Sequence, residues 1–353
     1  MRLSFCGGGT DLPAYYEHHG ALVVSTSIRY GFHAMLSTAP SDGVQILSAD
    51  HRALCNPPTR DNVNQDEDLH LPRAVVDFFQ PRDGLVIFLA SEIPSGCGLG
   101  TCGAMTVSMI KALSFWCGVD LEPAAAAHIA CQIQIDRLDV SLGREDLYAA
   151  AFGGTNRIKF SPDGVVVEPL RMRPGTEDAL QERLMLFFTG VSQPSSDIRR
   201  RLRQEVLDRN DRVLGRLGTI KTLAAEMGTV LEEGDLRALG ELLHRSWMEK
   251  RELVRGVTSA FIDQCYEAAR SQGATGGKIC GAGGGGFLLL CCPKRHQDRV
   301  TEAMEALGLR RWPLALDRRG VQLMQARPWH RLSSDTVRWE TTPRPQAKAP
   351  GVL

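Results

Sequence analysis

The sequence predicts an α+β protein of two domains, and three observations carry that expectation. At 353 residues the chain exceeds the roughly 250 that one core usually serves. Strand-length apolar runs are interleaved with stretches of helical period, as where "GLVIFLASEIP" is followed by apolar residues at Met105, Met109, Leu113 and Trp116. Three glycine-rich loops punctuate the pattern: "GGGTD" at 7–11, "GCGLG" at 96–100 and "GAGGGG" at 281–286.

In chain order, "RLSF" reads as a short strand entering a glycine turn, and "ALVVSTSI" and "HAMLSTA" as further strands. The strand in "GLVIFLASEIP" is bounded by Pro94, and a helix from about Cys102 to Trp116 succeeds it. Residues 123–139 are alanine-rich and helical, and "DLYAAAFGG" runs into a glycine turn. "TNRIKFSPDGVVVEPL" is a hairpin about Pro162, Asp163 and Gly164. A long helical stretch covers Ser196 to Leu243, opening with the basic run Arg199 to Arg203, which reads as the solvated face of a helix. "FLLLCC" is a buried strand. From about His330 the chain is polar, contains proline and lacks a period, as expected of a flexible tail.

Lys plus Arg and Asp plus Glu number 41 each, so no global field attracts nucleic acid or an anionic membrane, and a small ligand in a local site is the expectation. The ten cysteines show no zinc spacing and no CxxC pair, which reads as reduced thiols in a cytoplasmic protein. No signal-peptide or membrane-spanning run is evident.

A glycine-rich turn opening a helix presents unpaired N–H groups and the positive helix end to an anion, usually phosphate. "GCGLGTCGA" fits that description, with Thr101 offering a hydroxyl in the first turn, but it is neither a Walker A loop nor a Rossmann fingerprint. A tight structural turn explains one such loop equally well. Three of them, one with four consecutive glycines, point to close backbone approach to a ligand or to another loop.

The segments "RLSFCGGGTDLP", "SEIPSGCGLGTCGAMTV", "EDLYAAAFGG", "TGVSQPSSDI" and "GATGGKICGAGGGGFLLL" together resemble the GHMP small-molecule kinases, most of all the branch of the D-glycero-D-manno-heptose 7-phosphate kinases. The resemblance implies a ribosomal-protein-like N-terminal domain with a left-handed βαβ unit over residues 1–180, a ferredoxin-like C-terminal domain over 181–329 and a tail over 330–353. Between the two domains it implies a cleft for ATP, Mg²⁺ and a phosphorylated sugar or cyclitol, in a monomer or homodimer. It gives the phosphates of ATP to Gly96, Gly98, Leu99, Gly100, Thr101, Cys102 and Gly103. It gives substrate contacts to Gly8, Gly9, Thr10, Asp11, Ser196, Lys250, Gly283 and Gly284, with Arg251 beside Lys250 as a second basic group. Asp146 aligns with the aspartate that orients the attacking hydroxyl, and Arg2 with an arginine near the transferred phosphate. Taken singly, Asp146 is also an ordinary cap or ion-pair residue.

Two positions depart from the family pattern. Cys102 stands where a serine helps to hold Mg²⁺, and Gln134 where a glutamate does, which leaves Thr101 and Gln134 as the metal ligands. A thiol and a neutral amide are poor partners for a hard cation. Mg²⁺ carried by the triphosphate with Thr101, Asp136 or Asp139 and water completing its shell, a nucleotide and sugar-phosphate binder with little transfer, and a slip in the alignment all stay open at this level.

Overall fold

The computed structural model describes residues 1–39, 43–49, 53–55, 69–82, 84–140, 143–191 and 196–325, with backbone alone at 53–55, so the expected tail from His330 lies outside the described residues. Met1–Gln322 forms one compact unit; of a second, Leu323–Leu353, only residues 323–325 are described.

Three four-stranded sheets build the first unit. In the first, β1 (Arg2–Cys6), β2 (Ala21–Ser27), β7 (Thr155–Ser161) and β8 (Gly164–Pro169) pair antiparallel in that order. β7 and β8 are the hairpin that Pro162-Asp163-Gly164 signals. The second sheet has the order β3 (Phe32–Thr38), β6 (Leu85–Ser91), β4 (Val44–Ser48), β5 (Ala53–Cys55). Here β4 and β6 are parallel, so the chain must cross over between them, and α2 (His70–Phe79) lies in that crossover.

The third sheet is antiparallel with the order β10 (Gly276–Ile279), β11 (Phe287–Cys291), β9 (Leu184–Phe188), β12 (Arg310–Trp312). Four helices, α7 (Ser196–Leu207), α8 (Asp211–Glu233), α9 (Leu236–Arg251) and α10 (Ala260–Ser271), connect β9 to β10, and α11 (Gln297–Ala306) connects β11 to β12. This βαββαβ course is the ferredoxin-like arrangement. β11 is buried at every position because it is a central strand covered on both faces, which is why "FLLLC" shows no alternation.

α3 (Thr101–Trp116) buries residues all round, including Val107, Met109, Ile110 and Leu113, and so threads the core. α4 (Pro123–Cys131) continues into a π-helical turn, Gln132–Arg137, and α5 (Glu145–Phe152) ends at Gly153. The single helical stretch expected over Ser196 to Leu243 is instead α7 (Ser196–Leu207), α8 (Asp211–Glu233) and the start of α9 (Leu236–Arg251). Asn210 accepts from the N–H groups of Arg212 and Val213, and Asp235 from those of Arg237 and Ala238. These two caps begin new helices inside what reads as one periodic run.

Candidate active site

One cleft gathers the N-terminal end of β1, the first glycine loop, the loop from β6 into α3, the start of α5, the first turns of α7 and the end of α9. Its glycines are needed for close approach. Gly98 has φ +83°, and a Cβ there would lie 2.4 Å from the carbonyl oxygen of Cys280; one on Gly286 would lie 2.3 Å from that of Cys97. The second and third glycine loops thus interlock backbone against backbone, sealed by Phe287 N–H donating to the Cys97 carbonyl at 3.2 Å. Gly283 and Gly284 serve this packing: both meet Val257, and neither lines the cleft, whereas Gly281 and Ala282 do. The expected substrate contacts at Gly283 and Gly284 are corrected accordingly.

Gly100, left-handed at φ +77°, begins α3 without a side-chain cap. The first N–H groups of a 16-residue helix therefore open toward Gly96, Gly98, Gly100, Thr101 and Cys102, all of which line the cleft. Leu99 is fully buried, and its carbonyl accepts from the Arg2 N–H at 3.0 Å. Gly103 has a packing role, since a Cβ there would stand 2.8 Å from that of Asp146. That contact sets the carboxylate directly beneath the helix start.

Arg2 is 4% exposed and ties three parts of the site together. Its guanidinium donates to the Gly98 carbonyl at 2.7 Å, pairs with Asp146, and lies 3.7 Å from Glu145. Burial opposes its charge, but the Asp146 and Glu145 carboxylates outweigh that and its pKa is raised. Asp11 accepts from the N–H groups of Gly9 and Glu145, each at 2.9 Å, so it pins the first glycine loop to the start of α5 while lining the cleft. Burial, the largest influence, raises its pKa despite those bonds. Gly8 and Gly9 line the cleft; Thr10 is buried and donates to the Gly7 carbonyl, outside it.

Three groups to which the sequence reading assigned no role in the site also stand here. Glu145 is buried, and burial, with Asp11 and Asp146 adding to it against Arg2, pushes its pKa up to about 7. Lys278, fully buried, donates to the Ser4 carbonyl at 2.7 Å. Arg199 faces the cleft with Ile198 and Leu202, which corrects the solvated reading for the first arginine of that run. The "ED" pair and the apolar spacing of Ile198 and Leu202 were the available signals. Arg2 Nε, Ser4 Oγ and Glu145 Oε1 are buried without hydrogen-bond partners, polar atoms of a kind that a bound ligand satisfies.

Lys250 lines the cleft and donates to the Gly281 carbonyl, with its pKa pushed down to about 7 mainly by burial. Arg251, about 100° further round the helix, contacts Met248, Glu252 and Asp263 instead, so the basic pair is split. Ser196 is exposed at the start of α7 and is not among the lining residues; Ser195 lies outside the described residues.

The metal expectation does not fit the donors present. The π-helical turn directs Gln134 inward, 1% exposed, where its amide nitrogen donates to Thr106 Oγ1 at 2.5 Å, and Thr106 in turn donates to the Cys102 carbonyl. Thr101 Oγ1 turns to Met1 Sδ at 3.9 Å. Cys102 opens to the cleft, yet the protein around it raises its thiol pKa against the lowering effect of Arg199. Among the described residues no group of three His, Cys, Asp or Glu could hold a metal. The nine cysteines with described side chains are all free, and no described helix is long and apolar enough to cross a membrane.

Comparison with known proteins agrees with this geometry. The family model for the GHMP kinases N terminal domain matches residues 70–154, and that for GHMP kinases C terminal matches 229–308. A D-glycero-alpha-D-manno-heptose 7-phosphate kinase from Campylobacter jejuni is 29% identical over 310 residues, 86% of this chain and 91% of its own. A D-glycero-D-manno-heptose 1-phosphate kinase from Bacteroides thetaiotaomicron superposes with a TM-score of 0.73 at 24% identity, covering 91% of this chain and 95% of its own. Lactococcus lactis galactokinase complexed with galactose shares the fold at a TM-score of 0.71 and 15% identity, over 91% and 92% of the two chains. The first matched range contains the second glycine loop and Asp146, and the second contains the third glycine loop; the chain thus carries the N- and C-terminal domains of the GHMP kinases and is a kinase.

Proposed function

We propose that this kinase uses ATP to phosphorylate a hydroxyl of a sugar phosphate, and that the hydroxyl is the anomeric one of a heptose 7-phosphate. The observation that carries the reading is the Arg2–Asp146 pair seated under the uncapped start of α3. Loop N–H groups from Gly96 to Gly103 hold phosphate oxygens, and ATP supplies the phosphoryl group. Asp146 orients the attacking hydroxyl and accepts its proton late, which suffices because phosphoryl transfer depends more on alignment than on a strong base. Arg2, kept charged by two carboxylates, faces the charge that develops on the transferred group. Asp11, its carboxylate fixed by two backbone donors, keeps further acceptor capacity for a sugar hydroxyl. The heptose assignment leans on the name of the Campylobacter jejuni relative.

Among the described residues no group of three His, Cys, Asp or Glu could hold Mg²⁺, so no step is assigned to it; where the ion accompanies ATP, the triphosphate and water hold it. The same donors favour a second reading, a binder of nucleotide and sugar phosphate with little transfer. The separating experiment is coupled ADP release with ATP and Mg²⁺ against heptose, hexose and cyclitol phosphates. Sugar-dependent release at about one per second or faster is expected of a kinase. Binding of ATP without such release from any sugar phosphate refutes the first reading in favour of the second.

A further inference from the structure

α7 carries four arginines near its start, and three have partners. Arg200 pairs with Asp197 at 2.8 Å, Arg201 donates to the Arg255 carbonyl at 3.1 Å, and Arg203 lies 3.5 Å from Asp139. Arg199 is on the same face as Ile198 and Leu202, which anchor the helix; Leu202 lies 3.4 Å from a Cβ built on Gly9 of the first glycine loop. That anchoring turns the Arg199 guanidinium into the cleft. Its Nε is buried and has no hydrogen-bond partner, and among the described residues no carboxylate pairs with it. The other cations lining the cleft are engaged, Arg2 by Asp146 and Gly98, Lys250 by Gly281.

A guanidinium with an orphaned buried Nε is costly in isolation and complementary to a doubly accepting oxyanion, because Nε and one terminal nitrogen present two parallel donors. Arg199 stands opposite the open start of α3, near enough for its charge to act on Cys102. At the start of α3 a thiol, Cys102, and an inward-facing amide, Gln134, stand where charged or hydroxyl oxygen would favour a cation, and among the described cations lining the cleft Arg199 is the one not engaged by a protein partner.

We infer that Arg199 is a phosphate-binding residue of this cleft, seated between the first glycine loop and Cys102. The ligand phosphate belongs either to the nucleotide or to the sugar. The inference rests on the kinase reading only for the identity of those ligands.

The test is calorimetric binding, with Mg²⁺ removed, of ADP, adenosine, D-glycero-D-manno-heptose 7-phosphate and the unphosphorylated heptose. Wild type is compared with Arg199→Ala, Arg199→Lys and the surface control Arg200→Ala, each checked for folding by thermal melting. Loss of a charge-assisted pair should weaken a phosphate-bearing ligand about tenfold to a hundredfold, with adenosine and free heptose unaffected, Arg199→Lys intermediate and Arg200→Ala silent. A loss confined to ADP assigns Arg199 to the nucleotide, and one confined to the heptose phosphate assigns it to the substrate; either supports the inference. Unchanged binding of both overturns it, as does equal weakening of the unphosphorylated ligands or a wild-type cleft that binds neither phosphate. Should Arg199→Ala not fold, Arg199→Lys and Arg199→Gln decide by the same comparison. ADP binding that depends on Arg199, alongside no sugar-dependent turnover, sinks the proposed transfer to a sugar phosphate and leaves this inference standing.

Discussion

Replacing Glu145 with glutamine removes a carboxyl group that folding makes harder to ionise. Glu145 is 4% exposed, faces Asp11 and Asp146 as well as Arg2 and Lys278, and has its pKa raised from 4.5 to about 7, first by burial and then by the two aspartates. Below pH 4.5 the group is protonated folded or unfolded. Between 4.5 and about 7 the unfolded chain releases the proton while the folded protein keeps it, so this group makes stability fall as pH rises. Above about 7 the deficit is constant. At 1.36 kcal/mol per pH interval, that window amounts to roughly 3 kcal/mol at most. Glutamine resembles the protonated acid and does not titrate, so the stability of Glu145→Gln relative to wild type should climb across the window and level off above it. Urea unfolding of both proteins at half-unit steps from pH 4.5 to 8 measures the difference. Parallel curves, or a variant that loses ground as pH rises, refute the assignment of a proton to Glu145 near neutrality.

Lys250→Met should act on the other side of neutrality. The folded lysine titrates near 7 rather than 10.5, so wild-type stability gains from this group as pH rises between those values, and the variant should lack that gain in thermal melts from pH 7 to 10. Asp146→Asn should lower turnover by about two or more orders of magnitude while nucleotide binding persists; unchanged turnover removes Asp146 from the mechanism. Gly98→Ala places a Cβ against the backbone of Cys280 at a left-handed φ, and should cost at least about 1–3 kcal/mol in unfolding experiments and weaken ADP binding. A fully stable Gly98→Ala protein contradicts the interlocked loops. The double change Cys102→Ser, Gln134→Glu should increase the Mg²⁺ dependence of ADP binding by supplying oxygen ligands; no change means that the site is organised around the present residues.

Much of this protein is determined locally and can be read from its residues. Apolar runs bounded by proline or glycine mark β1, β2, β6 and β11, helical period marks α3, and three glycine loops announce close approach. Composition and spacing leave open what they approach, because a glycine records the need for space without naming the neighbour; the family resemblance implies that the third loop, Gly281 to Gly286, supports the second, and the contact itself joins residues nearly two hundred positions apart, such as Gly98 with Cys280. The breaks at Asn210 and Asp235 were missed because apolar period continues across them while the caps act over only two or three residues. Side-chain direction is likewise a tertiary property. A basic run looks uniformly solvated until Ile198 and Leu202 find the core and turn Arg199 inward, and adjacent Lys250 and Arg251 separate because a helix turns about 100° per residue. The charge states of Glu145 and Lys250 follow from burial beside distant groups, an energy that exists only once the chain has closed around them.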